Sequence, residues 1–195
     1  MKKTKKDTEE TVQLLLQTAK RHFSIHGYAK TALEDIVNDS ALTRGAVYHH
    51  FKNKKGLFYA AVESIQKKIA QNIEQQASMS SDQWEQLYLG CRTFMESAID
   101  PNHKQIILID GPAVIGWNDW RQLDANHSMR LLYNQLEQMQ KNGCFPNLSV
   151  RALTHSLSGA MNESALWIAE QNSLDSLEET MRVLNVYFEG LKQMN

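Results

Sequence analysis

The chain has 195 residues, 42% of them hydrophobic and 22% charged, which suits a globular protein whose core needs no metal or disulfide support. It contains no apolar run near the roughly 18 residues of a membrane span, so we expect a cytoplasmic protein that does not enter a membrane. Cys91 and Cys144 have no CxxC or metal-ligand spacing, which favours two free thiols; a redox-sensing pair is the alternative.

The net charge of −1 conceals an asymmetry along the chain. Residues 1–55 carry 11 Lys and Arg against 6 Asp and Glu, a net +5, whereas the remainder carries 10 against 16, a net −6. A basic N-terminal module on an acidic body is typical of a nucleic-acid reader with a second function. Because four of the eleven basic residues lie at positions 2 to 6, a solvated lysine tail is the alternative.

Helical patterns begin near the N-terminus. Apolar residues from about Thr8 to His26 fall on one helical face, and Gly27 follows as a C-terminal stop. Thr31, with Glu34 three residues later, forms a capping-box pattern. This pattern predicts a second helix from just after Thr31 to about Asp39.

A tight turn and a third short helix follow, as far as about Phe51, with Thr43 as the N-cap. Asn53 can cap a fourth, longer helix that begins at Lys54. Its first turn holds Lys54 and Lys55, where the macrodipole disfavours cations unless a phosphate is bound. The outward-facing residues of this stretch are small, hydrogen-bonding, aromatic or basic, which suits DNA: Thr43, Arg44, Gly45, Tyr48, His49, Lys52, Lys54 and Lys55.

These residues resemble the N-terminal helix-turn-helix signature of the TetR (tetracycline-repressor-like) family of transcriptional regulators. The resemblance covers residues 10–60 without a gap and rests on Gly27-Tyr28, Thr31, Asp35-Ile36, Thr43-Arg44-Gly45, Tyr48, His50-Phe51 and Lys52-Asn53-Lys54. It implies an all-α homodimer of about nine helices. The helix-turn-helix DNA-binding domain would be residues 1–55, and a ligand-binding and dimerisation domain would be residues 56–195.

Site roles follow from the same resemblance. Arg44 is the candidate for direct base readout, because a guanidinium can bond O6 and N7 of guanine together. Tyr48 matches a tyrosine on a phosphate. The turn departs from the usual Ala-Gly-Val, and a left-handed Ala41 would cost about 1 kcal/mol relative to Gly. The full set implied to contact DNA is Thr31, Thr43, Arg44, Gly45, Ala46, Tyr48, His49 and Lys54.

The C-terminal part is also predicted to be helical, with a fourth helix to about Ala77, a fifth over about Asp82–Ile99 and a later one to about Lys141. The last two helices carry apolar residues at alternating spacings of three and four, which predicts two seams of a four-helix dimer interface. An intramolecular core is the alternative. The interface residues of this prediction are Leu153, Leu157, Ala160, Ser164, Leu177, Met181, Leu184 and Phe188.

A pocket for a small-molecule inducer is predicted among the fifth to eighth helices, although each aromatic residue named could instead be plain core. Its predicted lining is Trp84, Cys91, Phe94, Met95, Trp117, Trp120 and Trp167, with His103, Asp110, Asn162 and Glu163 as polar candidates. The sequence contains no GxSxG, HExxH, P-loop or metal-ligand pattern, so we expect neither an enzyme nor a bound metal or cofactor.

These observations predict a sequence-specific DNA-binding regulator, a repressor released from a palindromic operator by a small-molecule inducer. The alternative is a helical small-molecule-binding or interaction protein without sequence-specific DNA readout. A DNA-binding assay that compares sequences separates the two.

Overall fold

The computed structural model describes residues 5–171 and 174–194, and within them the chain forms ten α-helices, a short π-helix and no strand. The all-α prediction is confirmed. The helices are α1 (Lys5–Lys30), α2 (Leu33–Ser40), α3 (Arg44–Phe51), α4 (Lys54–Ala77), α5 (Gln83–Ile99), the π-helix (Gln105–Asp110), α6 (Gly111–Ile115), α7 (Trp117–Asn126), α8 (Ser128–Lys141), α9 (Val150–Gln171) and α10 (Leu174–Lys192).

The chain divides into two compact units that do not follow the sequence order. The first contains the described residues up to Ile65 together with Pro101–Trp120, and the second contains Gln66–Asp100 together with residues 121–194. The predicted domain boundary after Lys55 is a division of the sequence and stays a prediction. Within the described ranges, no helix combines the length and apolar character needed to cross a bilayer.

Aromatic and aliphatic side chains from α1 to α4 form the core of the first unit. Phe23 of α1 and Phe58 of α4 are fully buried and meet edge to face, with ring centroids 5.0 Å apart. Ile36 of α2 and Val47 of α3 are also fully buried. Burying each such side chain contributes about 1.5 to 3 kcal/mol, so this core fixes the positions of the two short helices.

The start of α2 differs from the capping-box prediction, which is wrong. The N-cap is Ala32, and no side chain caps it. Thr31 is only 2% exposed, and its Oγ1 donates to the carbonyl oxygen of Gly27 at 2.8 Å. This hydroxyl therefore bonds at the break in α1 and does not cap α2. At the break, Gly27 leaves the helical conformation with φ 72° and ψ 166°.

The turn between α2 and α3 adopts the left-handed conformation anticipated from the sequence. Ala41 has φ 53° and ψ 26°, and its N–H donates to the carbonyl oxygen of Asn38 at 3.2 Å. An L-residue with a Cβ pays a steric cost in this region that glycine does not.

We therefore expect Ala41→Gly to raise the free energy of unfolding by about 1 kcal/mol, less the entropy that glycine adds to the unfolded chain. Urea denaturation followed by circular dichroism measures it. Ala160→Gly, on an exposed helical position of α9, is the matched control and should lower stability by about 0.5 to 1 kcal/mol. If both variants changed the free energy of unfolding in the same direction, the assignment of a strained Ala41 would be wrong.

The second unit is built mainly from α5, α8, α9 and α10, and its core contains most of the predicted dimer seams. Leu157, Leu177, Met181, Leu184 and Phe188 are each at most 4% exposed within a single chain. These five side chains pack within a single chain. Leu153 and Ser164 are half-buried, and only Ala160 among the eight is exposed. Most of the predicted interface residues are thus buried within one chain, and the dimer interface stays a prediction.

Candidate functional site

Helix α3 has an exposed face. A cap at its N-terminus and a buried residue in its middle fix its position. Thr43 is its N-cap, as predicted, and Thr43 Oγ1 accepts a hydrogen bond from the backbone N–H of Ala46 at 3.3 Å. Val47 is fully buried and fixes the rotation of the helix about its axis. The exposed residues on this helix and its cap are Thr43, Arg44, Gly45, Tyr48 and His49, whereas Ala46 is half-buried.

Arg44 is held on the protein surface by neighbours from two helices. Arg44 Nη1 lies 2.8 Å from Oε1 of Glu34 on α2, and Arg44 Nη2 lies 3.3 Å from the Tyr48 hydroxyl. The guanidinium carbon is 5.6 Å from the centre of the Tyr48 ring. Because both members of the ion pair are more than half exposed, the pair contributes little to stability, and an incoming anion or base edge can compete with Glu34.

The basic residues after α3 divide into exposed and engaged groups. Lys52 and Lys55 are exposed. Lys54 is half-buried, with its Nζ 4.2 Å from the centre of the Tyr28 ring, and burial lowers the pKa of Lys54 while the charge of Asp110 opposes that shift. The sequence singled out Lys54 as a phosphate contact, but Lys52 and Lys55 are the more accessible cations.

The junction between α3 and α4 is tightly built. Asn53 Oδ1 accepts from the N–H of Gly56 at 2.8 Å, so the predicted Asn53 cap is present. A Cβ on Gly56 would lie 2.0 Å from the carbonyl oxygen of Phe51. Only glycine fits at this position, and the short connection through Lys52, which has φ 68°, depends on it.

Thr31 is the one predicted DNA contact whose side chain the fold removes from the surface. Its hydroxyl is buried in the first unit and donates to the carbonyl oxygen of Gly27, as described above. In the structure this hydroxyl bonds to the end of α1, and a contact of Thr31 with DNA stays a prediction.

A cavity of about 250 Å³ lies within the second unit, among α4, α5, α7, α8 and α9. Its walls are largely apolar side chains such as Ile73, Leu87 and Leu132. Of the predicted ligand residues, Cys91 and Phe94 line it, and burial raises the pKa of the Cys91 thiol to about 12, which keeps it neutral. A chemically inert thiol in an apolar wall favours a non-covalent binding pocket.

The cavity also has a buried polar side that the sequence analysis missed. Asp124 of α7 is 1% exposed, and its Oδ2 lies 3.1 Å from Nη1 of Arg121, 3.4 Å from Oγ of Ser158 and 3.4 Å from Nδ2 of Asn162. Burial raises the pKa of Asp124, and Arg121 and its hydrogen bonds oppose that shift. Asn162, a predicted polar ligand residue, thus donates a hydrogen bond to Asp124, which lines the cavity. Asp124 carried no sequence signal, because an acidic residue in a polar helix reads as surface.

The other predicted ligand residues lie elsewhere. Met95 is fully buried core, Trp84 packs against Phe145 at 6.0 Å, and Glu163 and Trp167 are exposed on α9. The remaining four belong to the first compact unit and do not line the cavity: His103, Asp110, Trp117 and Trp120.

Trp120 is a predicted ligand residue that the structure places in the interior of the first unit. It is 4% exposed, and its Nε1 donates to the carbonyl oxygen of Ile107 at 2.7 Å, so its polar atom is already satisfied by the backbone. The ring of Trp117 stacks on the ring of Trp120, with ring centroids 5.2 Å apart. The hydrogen bond of Trp120 joins α7 to the π-helix.

The all-helical fold and the capped, exposed third helix, which follows a tight turn after α2, have the arrangement of a helix-turn-helix. A family model described as "Bacterial regulatory proteins, tetR family" matches residues 15–61, and one described as "Tetracyclin repressor-like, C-terminal domain" matches residues 84–191. The chain belongs to the TetR family, which consists of regulators and not enzymes.

Individual relatives agree with this assignment. The chain is 32% identical to the HTH-type transcriptional regulator AcrR of Shigella flexneri over 108 residues, 55% of this chain and 50% of that protein. It is 47% identical to the probable acrEF/envCD operon repressor of Escherichia coli K12 over 57 residues, 29% of this chain and 26% of that protein. The chain thus spans half or less of these curated relatives.

A solved structure is similar over nearly the whole chain. It is the crystal structure of a TetR-family transcriptional regulator from Pectobacterium atrosepticum, with 32% identity and a TM-score of 0.80. The similarity covers 97% of this chain and 98% of that one. The family assignment therefore extends to both compact units.

Proposed function

We propose that this protein is a repressor that binds a palindromic operator as a homodimer and is released when a small molecule fills the cavity. The observation that carries the DNA-binding part is the exposed face of α3, which offers hydrogen-bonding groups while Val47 anchors its other face. In a helix-turn-helix, the second helix enters the major groove with its N-terminal residues at the bases.

The roles on this surface divide by chemistry. Arg44 is suited to bidentate contact with guanine, and Thr43 and His49 are suited to single hydrogen bonds with base edges. Tyr48 and Lys54 are proposed phosphate contacts, joined by the exposed Lys52 and Lys55. The close approach of α3 to DNA is supported by Gly45 and Ala46, which carry little side chain.

The homodimer is proposed to form through exposed faces of the last two helices. Val183, Val186 and Tyr187 lie at helical spacing on α10 and are each more than half exposed. On α9, Trp167 is 41% exposed, and a Cβ on Gly159 would meet nothing within 4 Å. Large apolar side chains left uncovered beside small residues support a helix-to-helix interface with a second copy.

The cavity supports the induction part of the proposal. It is mostly apolar with a small number of placed polar groups, which is the usual character of a small-molecule site. By linkage, a molecule that binds one conformation of the dimer better than the operator-bound one weakens DNA binding, and DNA weakens its binding equally.

An assay with duplexes differing at single base pairs tests the DNA-binding part. Arg44→Ala should reduce discrimination at one position of each half-site by about 1 to 3 kcal/mol, because the bidentate contact is lost. Glu34→Gln is the matched control. It removes the anionic competitor of Arg44 and should strengthen binding to every duplex without changing base preference.

Two results would contradict the proposal. The first is equal binding of the wild type to all duplexes, which would favour an interaction protein without sequence readout. The second is equal affinity per chain for a single half-site and for a palindrome whose half-sites are about 10 bp apart, which would contradict the homodimer on its operator.

A further inference from the structure

A groove on the surface of the second unit is lined by basic side chains and is distinct from the cavity. It has a volume of about 250 Å³ and lies between α8 and the beginning of α9, with Ala125 of α7 also in its lining. Its basic residues are Arg130 of α8 and Arg151 and His155 of α9, and all three are exposed. Met129 lines both the groove and the cavity. The groove is thus a separate, solvent-facing depression beside the cavity.

The three basic side chains of the groove have no counter-ion within the described part of the chain. None of them makes a side-chain hydrogen bond or ion pair there, and no described residue of the groove lining is Asp or Glu. By contrast, Arg92 and Arg121 of the same unit each pair with a carboxylate. The chain after Lys55 carries a net charge of −6, so acidic partners are plentiful in its sequence. An anion from outside the chain would supply the missing opposite charge.

Carboxylates that adjoin the groove are engaged by other groups. Glu137 accepts a hydrogen bond at 3.2 Å from the hydroxyl of Tyr133, a lining residue, and its other carboxylate oxygen lies 2.7 Å from Nζ of Lys141. Asp124, next to Ala125, lines the cavity, and its Oδ2 lies 3.1 Å from the guanidinium of Arg121. Neither of these two carboxylates is paired with a basic residue of the groove, so its positive charge is not neutralised by them.

The basic residues of the groove favour a dianion. Arg130 and Arg151 stay protonated, and a guanidinium makes two parallel hydrogen bonds to phosphate oxygens. The imidazole of His155 has a ring N–H to donate in either tautomer. A phosphate monoester carries a charge of about −1.5 to −2 at pH 7 and three acceptor oxygens. It can therefore pair with both guanidiniums, whereas a monoanion leaves one positive charge uncompensated.

The apolar part of the lining favours an organic group attached to that anion. Met129 is half-buried and the side chain of Tyr133 is 37% exposed, so both offer hydrocarbon surface to an occupant. An aromatic ring can stack on the ring of Tyr133 or on the plane of a guanidinium. Since the groove is small, the organic group must be compact.

We propose that this groove binds a phosphate monoester of a compact aromatic or apolar group, with Arg130 and Arg151 as the partners of the phosphate and His155 as a further donor. The inference goes beyond the proposed function, because it requires neither operator binding nor a ligand in the cavity.

Three anions separate the contribution of charge from that of the organic group: 1-naphthyl phosphate, 1-naphthyl sulfate and inorganic phosphate. Titration calorimetry with the full chain at neutral pH should give 1-naphthyl phosphate about 5-fold tighter binding than the sulfate, the factor for one further unit charge about 4 Å from a cation in water. Inorganic phosphate should bind at least about 10-fold more weakly than 1-naphthyl phosphate, because it has no apolar surface to bury. Added salt should weaken binding of both naphthyl esters, since the groove is exposed.

Substitution then locates the site. Arg130→Gln and Arg151→Gln should each weaken binding of 1-naphthyl phosphate by about 5- to 10-fold, because each removes one charge-assisted pair. The double variant should bring the affinity ratio of phosphate to sulfate ester to about one. Arg182→Gln, which removes an exposed cation of α10 outside the groove, is the matched control and should preserve the affinity. The groove variants are expected to fold, because both arginines are exposed and neither has a side-chain partner among the described residues.

Three results would overturn the inference: no binding of 1-naphthyl phosphate, binding no tighter than that of the sulfate, or unchanged affinity in both single variants. Analytical ultracentrifugation of the same variants tests a competing occupant. If the ester does not bind and either variant lowers the dimer fraction, the anion of the groove is a carboxylate of a second copy and the ligand inference is wrong. A wild type that binds 1-naphthyl phosphate through both arginines but shows no sequence preference on DNA would support this inference and contradict the proposed function.

Discussion

Gly56→Ala is expected to lower the free energy of unfolding by about 3 kcal/mol or more and to abolish DNA binding. The added Cβ would lie 2.0 Å from the carbonyl oxygen of Phe51 and 3.1 Å from its carbonyl carbon. Overpacking usually costs about 1 to 3 kcal/mol where flexible side chains can yield, and here the obstacle is backbone. The carbonyl belongs to the last residue of α3, so any relief moves the end of the DNA-contacting helix.

Urea denaturation and an operator-binding assay measure the two effects of this variant. Gly45→Ala is the matched control for stability, since its Cβ would meet Thr43 Oγ1 at an ordinary 3.7 Å and alanine favours the helix by about 1 kcal/mol. We expect the control to be neutral or stabilising. A Gly56→Ala protein within 1 kcal/mol of wild type would show that the junction can relax, and the account of a rigid turn would be wrong.

The N-terminal helices were predictable because their boundaries depend on nearby residues. Thr43 and Asn53 cap α3 and α4, and each makes its bond three residues along the chain. A left-handed Ala41 was considered because the resemblance places it where the family usually has glycine, and the structure has that conformation. Thr31 was assigned wrongly because its hydroxyl bonds to Gly27, and the competing role depends on how α1 ends.

The dimer seams and the cavity were harder to predict for a general reason. Hydrophobic periodicity identifies the buried face of a helix but not what buries it, so Leu184 and Phe188 fit an interface and a core equally well. The cavity depends on gaps between five helices and on a buried Asp124, neither of which leaves a pattern along the chain. Among the predicted aromatic residues, Phe94 lines the cavity, whereas Trp120 is buried and its indole N–H bonds to the backbone.

The segment Pro101–Trp120 belongs to the first compact unit, although it follows α5 in the sequence. Its apolar run, Ile106 to Leu108, is buried in the same compact unit as α1 to α3. Asp110 was named as a ligand candidate. In the structure, its Oδ2 accepts a hydrogen bond from the backbone N–H of Tyr28 at 2.7 Å, just after the break at Gly27.

The position of Asp110 leads to an expected loss of about 2 kcal/mol of stability in Asp110→Ala. The variant leaves the Tyr28 N–H without its carboxylate acceptor in a half-buried place, and charge-assisted hydrogen bonds contribute about 1.5 to 3 kcal/mol. It also removes the negative charge that favours protonated Lys54, whose ammonium lies 4.2 Å from the centre of the Tyr28 ring. Both losses fall on the contacts that join this segment to the DNA-binding helices.

Asp110→Asn provides the finer test of the same contact. The amide oxygen can still accept from Tyr28, so we expect it to retain more than half of the stability that alanine loses, while the charge acting on Lys54 disappears. Asp119→Ala, an exposed carboxylate in the same segment, is the control and should stay within about 0.5 kcal/mol of wild type. If alanine at 110 were no more damaging than alanine at 119 in urea denaturation, the hydrogen bond to Tyr28 would not be what attaches the segment. If asparagine were as damaging as alanine, the charge and not the acceptor geometry would be its main contribution.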